Sequence, residues 1–227
     1  MPYNYTIMSY LEFKRVLDLI LATILGVLFF PVCIITAIAI KLESPDGPVF
    51  ADTPKRVGKN GKPFYPYKFR SMIPNAYQLL KTDPRFKKAY EEQQKGGNYK
   101  IMNDPRVTKV GKFIRKYSID EVPQFINVIR GDMSLIGPRP YYPDEIERQR
   151  KEYPHTKKSI ELALSVKPGI TGLWQVTGRS QVNFDKRVEL DAHYAQIISN
   201  SFGKAVWYDL KILFQTPFAM LSAKGAV

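Results

Sequence analysis

LILATILGVLFFPVCIITAIAI, residues Leu19 to Ile40, is an uncharged run of 22 residues with a single proline, Pro31. Lys14 and Arg15 precede the run and Lys41 follows it. A straight helix of this length would rise about 33 Å, enough to cross a hydrocarbon core of about 30 Å. A cleaved signal peptide is the weaker interpretation, because the apolar core of such peptides is usually shorter. The stretch therefore predicts a membrane helix.

Pro31 leaves two membrane geometries open. Proline has no N–H for the carbonyl of Val27, and neither Leu19–Phe30 nor Val32–Ile40 is long enough to cross alone. A kinked span and a bent hairpin that enters and leaves by one face both fit. Basic residues lie on both sides of the run, and their tendency to stay in the cytoplasm favours the hairpin mildly.

The charge of the chain is strongly basic and unevenly placed. The 227 residues carry 34 Lys and Arg against 21 Asp and Glu, a net charge of +13. The first 40 residues are neutral overall, so the whole excess follows the apolar run. Such a domain seeks nucleic acid, anionic lipid or phosphorylated substrates. One cysteine, Cys33, and two histidines exclude an intramolecular disulfide framework and make a multi-histidine zinc centre a poor interpretation.

The rest of the sequence predicts a mainly α fold with a small β-hairpin. Val49–Val57 and Pro63–Arg70 flank Asn60-Gly61, the dipeptide favoured in type I′ turns. A glycine-rich loop is predicted over Val166–Arg179. Helices are predicted at 74–103, Val107–Tyr117, Ile119 to a stop at Gly131, Asp144–Lys158, Phe184–Ile198, and Phe202–Ala223 with an interruption at Pro217. The domain boundary is placed between an N-terminal membrane region, 1–43, and the rest of the chain, 44–227.

The last predicted helix is rich in apolar and aromatic residues, including Trp207, Phe214 and Phe218. Ordinary core packing accounts for such a helix. An amphipathic helix in the membrane interface, where Trp and Tyr settle, accounts for it as well. The sequence leaves both interpretations open.

IRKYSIDEVP, residues Ile114 to Pro123, contains the residues best suited to catalysis. Ser118 and Glu121 fit a capping box that would place Asp120 in the first turn of a helix, and on local pattern alone capping is the stronger interpretation. The functional interpretation starts from the adjacent carboxylates of Asp120 and Glu121 beside Arg115. Cations and free N–H groups bind phosphate, one carboxylate can attack phosphorus, and its neighbour can hold Mg²⁺.

Three other segments carry candidate phosphate ligands, each with an ordinary structural alternative. Two prolines fix the backbone around Arg139 in Gly137-Pro138-Arg139-Pro140. This rigid segment either presents the planar guanidinium of Arg139 to a phosphate or is only a structural turn. The glycines of Lys167–Arg179 permit positive φ and close backbone approach, which suits an anion-binding nest or a surface loop. Lys68-Phe69-Arg70 places two cations on one face of a strand, or on a solvated edge.

Taken in order, these motifs resemble the bacterial sugar transferases, a family of monotopic polyprenyl-phosphate phosphoglycosyl transferases. The similarity runs from about Lys14 to Thr216. The residues that carry it are the Pro31-broken apolar run, Lys68-Phe69-Arg70-Ser71-Met72, Arg115, Ser118-Ile119-Asp120-Glu121, Gly131-Asp132-Met133-Ser134, Gly137-Pro138-Arg139-Pro140, Lys167-Pro168-Gly169-Ile170-Thr171-Gly172, Gln175-Val176, Gly178-Arg179, and Glu189-Leu190-Asp191 with Tyr194.

The resemblance implies an enzyme and a mechanism. Sugar 1-phosphate would pass from a UDP-sugar to polyprenyl (undecaprenyl) phosphate with release of UMP, as the first membrane step of surface polysaccharide or glycoprotein glycan synthesis. Asp120 would attack the sugar-linked phosphorus and form a phosphosugar–aspartyl intermediate, and Glu121 would help to bind the cofactor, Mg²⁺. Arg115 and Arg139 would hold phosphates. The weaker pocket assignments are Lys68, Arg70, Gln175 and Arg179.

The resemblance also implies a place in the cell. It predicts a membrane-associated α/β phosphoglycosyl transferase domain at the bacterial inner (cytoplasmic) membrane, on the cytoplasmic face. The N-terminal helix would be re-entrant, bent at Phe30-Pro31, and interfacial amphipathic helices would accompany it. Membrane lipids are expected partners, nucleic acid is not, and a homodimer is left open.

Two features of the sequence bear on the details. Many relatives carry Ser before the helix-breaking proline, where a hydroxyl can bond the freed carbonyl of Val27; Phe30 cannot. The polar excursion at 74–103 resembles the longer loop of members that use hexoses, which favours a UDP-hexose.

Two rival interpretations remain from the sequence. Asp120 could act as a general base or metal ligand while polyprenyl phosphate attacks directly. The chain could also be a non-catalytic, membrane-tethered basic module that binds anionic lipid or nucleic acid. The clustering of cations around carboxylates and glycines, instead of along one stripe with stacking aromatics, weighs against the second.

Overall fold

The computed structural model describes residues 3–95, 101, 103–177 and 183–221. Most of these residues are helical. The helices are α1 (Tyr3–Glu43), α2 (Ala76–Thr82), α3 (Lys87–Lys95), α4 (Lys109–Lys116), α5 (Phe125–Arg130), α6 (Pro143–Glu152), α7 (Lys157–Leu164), α8 (Leu173–Thr177), α9 (Phe184–Asn200) and α10 (Phe202–Leu221). Four short strands, β1 (Arg56–Val57), β2 (Pro63–Phe64), β3 (Ser134–Ile136) and β4 (Gly169–Thr171), complete the described elements together with 3₁₀ turns. The prediction of a mainly α fold is confirmed.

The predicted β-hairpin is confirmed but is shorter than expected. β1 and β2 pair antiparallel, with Arg56 opposite Phe64. The connection contains Asn60 at φ 56° and Gly61 at φ 80°. Both residues therefore have the left-handed backbone that a type I′ pair requires, which only Gly and a few polar residues adopt without strain.

The chain forms two compact units. The first contains α1 up to Leu28, the segment Thr53–Pro66, and the described residues from Gln124 onward. Its main core joins the first half of α1 to β3, α9 and α10, and a second cluster joins α6, α7 and α9. The fully buried members include Ala22, Val128, Met133, Val188 and Ile212.

Asp209 of α10 connects three parts of this first unit. Its carboxylate accepts hydrogen bonds from the hydroxyls of Tyr10 and Tyr194, each at 2.7 Å, and lies 2.5 Å from Lys14 Nζ. Tyr10 and Lys14 belong to α1 and Tyr194 to α9. A carboxylate that accepts several hydrogen bonds within a largely buried site fixes the groups around it, because each donor would be costly to leave unpaired.

A parallel pair of strands in the first unit was not predicted. β3 and β4 pair with Ser134 opposite Gly169, so the predicted loop over 166–179 is wrong at 169–171, and also at 173–177, which form α8. Gly169 and Gly172 do not have the positive φ that the anion-nest interpretation expected, since the described glycines with positive φ are Gly61 and Gly131; Gly178 lies outside the described residues. Instead, a Cβ on Gly169 would lie 2.1 Å from the nitrogen of Gly137, so glycine here permits close strand packing.

The second unit contains Phe29–Asp52 and Tyr67–Pro123. Ile40, Phe69 and Ile114 form one buried cluster, and Leu80, Phe86, Ala89 and Ile101 form another. The predicted polar helix at 74–103 is divided by Asp83-Pro84 into α2 and α3, and Gly96-Gly97-Asn98 lies outside the described residues. Glu43, the last residue of α1, accepts hydrogen bonds from the amides of Lys109 and Val110 at 2.7 and 2.9 Å. It thereby caps the start of α4.

α1 is long and apolar enough to cross a membrane by its length and composition, from Tyr10 to Glu43. It is not a core helix, since only 11% of its most apolar window is buried. The helix assignment runs without a break through Pro31, and Phe30 is exposed. The re-entrant bend at Phe30-Pro31 stays a prediction, as does the boundary between 1–43 and 44–227.

α10 buries one face and exposes the other. Ala205 and Ile212 are fully buried, whereas Trp207, Phe214 and Phe218 are 65%, 72% and 75% exposed. Core packing therefore does not explain the exposed aromatic side chains. An interfacial membrane helix stays the prediction for this face. The expected interruption at Pro217 is wrong, because the helix continues to Leu221.

Candidate active site

Asp120 lies at the start of a 3₁₀ helix, Ile119–Gln124, in the second unit. Its carbonyl accepts the amide of Phe69 at 2.9 Å, which ties this turn to the extended segment that carries Lys68. Phe69 belongs to the buried cluster with Ile114, so this hydrogen bond anchors the turn to a buried apolar cluster. Proline at position 123 lacks the N–H that an α-helix needs, consistent with a tighter turn before α5 begins at Phe125.

The capping-box interpretation of Ser118 and Glu121 does not hold. Ser118 has φ 56°, in the left-handed region, whereas an N-cap residue is extended. The amide of Glu121 bonds the carbonyl of Ser118 at 3.1 Å. The Glu121 carboxylate binds Lys68, with Nζ and Oε1 2.5 Å apart. A non-glycine residue with positive φ is uncommon and marks a constrained turn, which here precedes the acidic pair.

Four of the predicted site residues come together in this unit: Asp120, Glu121, Lys68 and Arg115. Arg115 is in the last turn of α4, and its Nε donates to the Ser71 hydroxyl at 2.8 Å. That bond orients the guanidinium and leaves its terminal nitrogens without a hydrogen-bond partner among the described residues. Lys68 and Arg115 both act electrostatically on Asp120. The result is two adjacent carboxylates flanked by two cations.

The Asp120 carboxyl is unusual in its ionisation. Burial raises its pKa to about 6; Lys68 and Arg115 oppose that rise, and the neighbouring Glu121 charge adds to it. The residue is only 9% exposed. A carboxylate with a raised pKa is more basic than an ordinary one, which suits nucleophilic or acid–base work near neutral pH.

The donor set is compatible with Mg²⁺. Among the described residues there is no group of three or more His, Cys, Asp or Glu side chains that could hold a metal ion. Magnesium is often held by one or two carboxylates, with the remaining positions filled by substrate phosphates and water. Asp120 and Glu121 supply such a pair, so the residues present fit this ion.

Arg70 does not join the acidic pair. It is buried, and its guanidinium donates to the hydroxyl and carbonyl of Ser44 at 3.1 and 2.6 Å. A Cβ on Gly47 would lie 2.1 Å from Arg70 Nη1, so the turn after α1 is shaped around this side chain. These contacts give Arg70 a structural position, and its predicted contact with substrate stays a prediction.

Arg139, in the first unit, belongs to a cluster of three arginines. Its charge lowers the pKa of both Arg56 and Arg187, after the larger effect of burial on each. The guanidinium carbons of Arg139 and Arg187 lie 5.0 and 5.4 Å from the ring centre of Trp174. The Nε of Arg139 and the indole N–H of Trp174 are buried without a hydrogen-bond partner among the described residues. Buried donors of this kind suit an anionic ligand.

Asp191 organises the backbone around Arg139. Its carboxylate accepts the amide of Arg139 at 3.0 Å and the hydroxyl of Tyr141 at 2.6 Å. Complete burial raises the pKa of Asp191 to about 7, while the hydrogen bond from Tyr141 lowers it in part. Arg187 precedes Asp191 by four residues in α9, so the two lie on one helix face.

Two predicted site residues remain, Gln175 and Arg179. Gln175 follows Trp174 in α8 and donates to the carbonyl of Ile170 at 3.1 Å. Arg179 lies outside the described residues. Arg56 and Arg187 were missed in the sequence. The i, i+4 spacing of Arg187 and Asp191 was the available signal for the second, whereas nothing in the sequence around Arg56 marks it.

A carboxylate pair between cations and a separate cluster of arginines are features of proteins that handle phosphate groups. The chain belongs to the bacterial sugar transferase family, which matches residues 9–223. It is 39% identical to the undecaprenyl-phosphate galactose phosphotransferase of Salmonella typhimurium, over 94% of this chain and 41% of that protein. With the galactosyl transferase CpsE of Streptococcus agalactiae it shares 44% identity, over 96% and 44%.

A shorter relative is covered almost completely. The chain is 37% identical to the exopolysaccharide production protein ExoY of Rhizobium meliloti, over 94% of this chain and 87% of that protein. It thus spans about two fifths of the length of the two relatives above and most of the third. The family resemblance stated from the motifs is confirmed.

Proposed function

We propose that this sugar transferase moves a hexose 1-phosphate from a UDP-hexose to undecaprenyl phosphate and releases UMP. The names of two relatives, a galactose phosphotransferase acting on undecaprenyl phosphate and an exopolysaccharide production protein, support the acceptor and the glycan context. The observation that carries the proposal is the Asp120 carboxyl, with a pKa of about 6, beside Glu121 and under the charges of Lys68 and Arg115.

The reaction proceeds in two displacements at one phosphorus atom. A carboxylate oxygen of Asp120 attacks the phosphorus that carries the hexose, and the bond from that phosphorus to the bridging oxygen breaks. UMP leaves with the electron pair, and the hexose phosphate is joined to Asp120. A phosphate oxygen of undecaprenyl phosphate then attacks the same phosphorus and restores the Asp120 carboxylate. Two steps let one nucleophile serve a soluble and a membrane-bound substrate in turn.

The residues around Asp120 have separate roles. Lys68 and Arg115 stabilise the negative charge of the carboxylate and of the phosphate oxygens that approach it. Ser71 orients Arg115 through the 2.8 Å bond to its Nε. Glu121 would help to hold Mg²⁺, and the bound ion would neutralise charge on the phosphates.

The near-complete burial of Asp120 shapes the chemistry. At 9% exposure, little water reaches the carboxylate, and an acyl phosphate formed there is protected from hydrolysis. The same burial raises the basicity of the nucleophile.

The cluster of Arg56, Arg139 and Arg187 is proposed to bind a phosphate of one of the two substrates. Arginine forks match phosphate oxygens, and the guanidinium groups of Arg139 and Arg187 lie within cation–π distance of the Trp174 ring. Gln175 and Arg179 stay predictions of the family resemblance.

The proposed location is the bacterial cytoplasmic membrane, with the catalytic region on its cytoplasmic face. The apolar α1 and the exposed aromatic face of α10 support membrane attachment. A basic chain with net charge +13 is attracted to the anionic cytoplasmic leaflet. A homodimer and the exclusion of nucleic acid stay predictions.

The test is to trap the intermediate. Detergent-solubilised protein is incubated with UDP-galactose or UDP-glucose and Mg²⁺ but without polyprenyl phosphate, and peptides are mapped by mass spectrometry. We expect hexose phosphate on Asp120, UMP release in a matching amount, and loss of both in Asp120→Asn. Asp46→Asn, which removes an exposed carboxylate of the same unit, is the matched control and should keep both.

Other outcomes favour the rivals. Full turnover without any adduct on Asp120 means that polyprenyl phosphate attacks directly, with Asp120 as a base or metal ligand. An absence of UMP release with every UDP-sugar and acceptor, together with binding of anionic vesicles that Asp120→Asn does not change, means a non-catalytic membrane module.

A further inference from the structure

A second cationic site lies in the first unit, in a small cleft that is partly open to solvent. Its charged lining consists of Lys14, Arg15, Asp18, Lys59 and Lys167. The rest of the wall consists of Ser134, Tyr194 and apolar side chains, among them Leu11, Val166 and Ile198. None of these residues has a role in the reaction proposed above.

The charges of this cleft are not balanced. Lys14 is paired with Asp209, and Asp18 lies 3.8 Å from Lys14 and accepts the amide of Leu135 at 3.1 Å. Arg15, Lys59 and Lys167 remain. Within the described part of the chain, none of these three has a carboxylate at ion-pair distance. The cleft therefore carries an excess of positive charge.

Two of the three cations converge on one point. A Cβ placed on Gly131 would lie 3.5 Å from both Arg15 Nη2 and Lys167 Nζ. Arg15 is held there by bonds to the carbonyls of Val128 and Ile129, at 2.5 and 2.9 Å. Burial lowers the pKa of Lys167, and the charges of Arg15 and Lys59 lower it further, while the charges of Asp18 and Asp132 oppose them. An anion between these groups would relieve that repulsion.

The position of the cleft along α1 indicates where the anion comes from. Arg15 precedes the apolar run at Leu19 by four residues, or about 6 Å along the helix. The polar layer on each side of a bilayer is about 5–8 Å thick. If the apolar run occupies the hydrocarbon core, Arg15 lies at the depth of lipid headgroups.

We propose that Arg15, Lys59 and Lys167 form a binding site for a phosphate group, supplied by the headgroup of an anionic membrane lipid. The lipid source rests on the membrane placement of α1 in the proposed function. The phosphate chemistry rests only on the three cations. A free phosphate ester in the cytoplasm is the other source of the same group.

The test measures binding by the full chain in uncharged detergent micelles, with no UDP-sugar present. One arm uses radiolabelled phosphatidylglycerol in mixed micelles, and the other uses soluble glycerol phosphate. Lys59→Gln combined with Lys167→Gln is expected to weaken phosphatidylglycerol binding about thirtyfold, since each basic residue at the membrane surface accounts for about a fivefold change. Lys151→Gln combined with Lys158→Gln removes the same charge at exposed positions of the same unit and should change binding less than about threefold.

The outcomes separate the possibilities. Selective loss in the phosphatidylglycerol arm supports a lipid site, and selective loss in the glycerol phosphate arm supports the phosphate site but overturns the lipid source. Equal loss in both double variants, or no loss in either, overturns the site. Lys59→Arg combined with Lys167→Arg should restore binding, which excludes misfolding as the cause. Asp120→Asn should bind lipid normally, so the lipid-binding result can be interpreted even if the proposed catalysis fails.

Discussion

Replacing Lys68 by Met removes the cation that binds Glu121 and that most strongly lowers the pKa of Asp120. Asp120 must be ionised to attack phosphorus, so the rate of adduct formation should rise with pH and fall as pH drops through the Asp120 pKa. With that pKa at about 6, the wild-type carboxylate is about half ionised at pH 6 and about nine tenths ionised at pH 7.

The size of the expected change follows from the loss of one close charge. Removing an opposite charge near a carboxylate raises the pH of half-maximal rate by about one to three pH units. A shift of about one unit leaves roughly a tenth of Asp120 ionised at pH 6, about a fivefold loss of rate there, and only about a twofold loss at pH 7. The defect should therefore shrink as pH rises.

The assay is single-turnover formation of the hexose phosphate adduct between pH 5 and pH 9, followed by rapid quench and intact-mass spectrometry. Lys112→Met, an exposed change in α4 of the same unit, should reproduce the wild-type profile. An Lys68→Met profile that is lowered equally at every pH would refute the reasoning, because it would mean that Lys68 binds substrate without controlling the ionisation of Asp120.

Three further predictions concern stability, measured as the thermal unfolding midpoint in detergent. Gly169→Ala should lower the free energy of unfolding by about 1–3 kcal/mol, because the added Cβ would lie 2.1 Å from a backbone nitrogen. Gly203→Ala, whose Cβ would have nothing within 4 Å, should leave it unchanged. Equal unfolding midpoints for the two variants would contradict the strand packing. Burial raises the pKa of Asp191 to about 7 in the folded state, so the folded protein keeps this proton to a higher pH than the unfolded chain does. The free energy of unfolding should therefore fall by about 4 kcal/mol as the pH rises from 4 to 7. Asp191→Asn should flatten that slope, and an unchanged slope would show that the carboxyl does not titrate there. Asp209→Ala should cost about 3–5 kcal/mol, because it strands three largely buried donors, whereas Glu12→Ala on the exposed face of α1 should change the midpoint little, and a similar loss in both would argue against the network.

The helices were predictable because their signals are local. Apolar spacing and caps located α4 and α9 to within a few residues. The helix predicted from Ile119 begins as a 3₁₀ helix and becomes α5 only at Phe125, and Gly131 ends α5 with a left-handed backbone as expected. The hairpin was predictable because Asn60-Gly61 carries its own turn geometry. Each of these elements depends on residues close together in the sequence.

The errors arise where distant residues decide the local structure. Ser118 and Glu121 have the spacing of a capping box, but Lys68, some 50 residues earlier, binds the Glu121 carboxylate. Gly169 belongs to a strand because β3 lies beside it, and a glycine-rich segment carries no sign of its partner strand. Three residues in a strand are too few for a period of two to be visible.

The candidate site divides in the same way. Asp120, Glu121 and Arg115 lie within seven residues and were recognised together. Arg56 and Arg187 reach Arg139 only through the fold. A buried arginine has no sequence signature of its own, since the same residue type is most often exposed.

The carboxylate of Asp209 has a consequence for handling the protein. Tyr10 and Lys14 lie near the start of the apolar helix, and both donate hydrogen bonds to the Asp209 carboxylate, as Tyr194 does. A truncation intended to give a water-soluble form by removing residues before Leu28 would strip away two of the three donors. Replacing α1 by an unrelated anchor would do the same. Solubilising designs should therefore keep Tyr10, Lys14 and the turn between them, and substitute only the outward-facing apolar side chains.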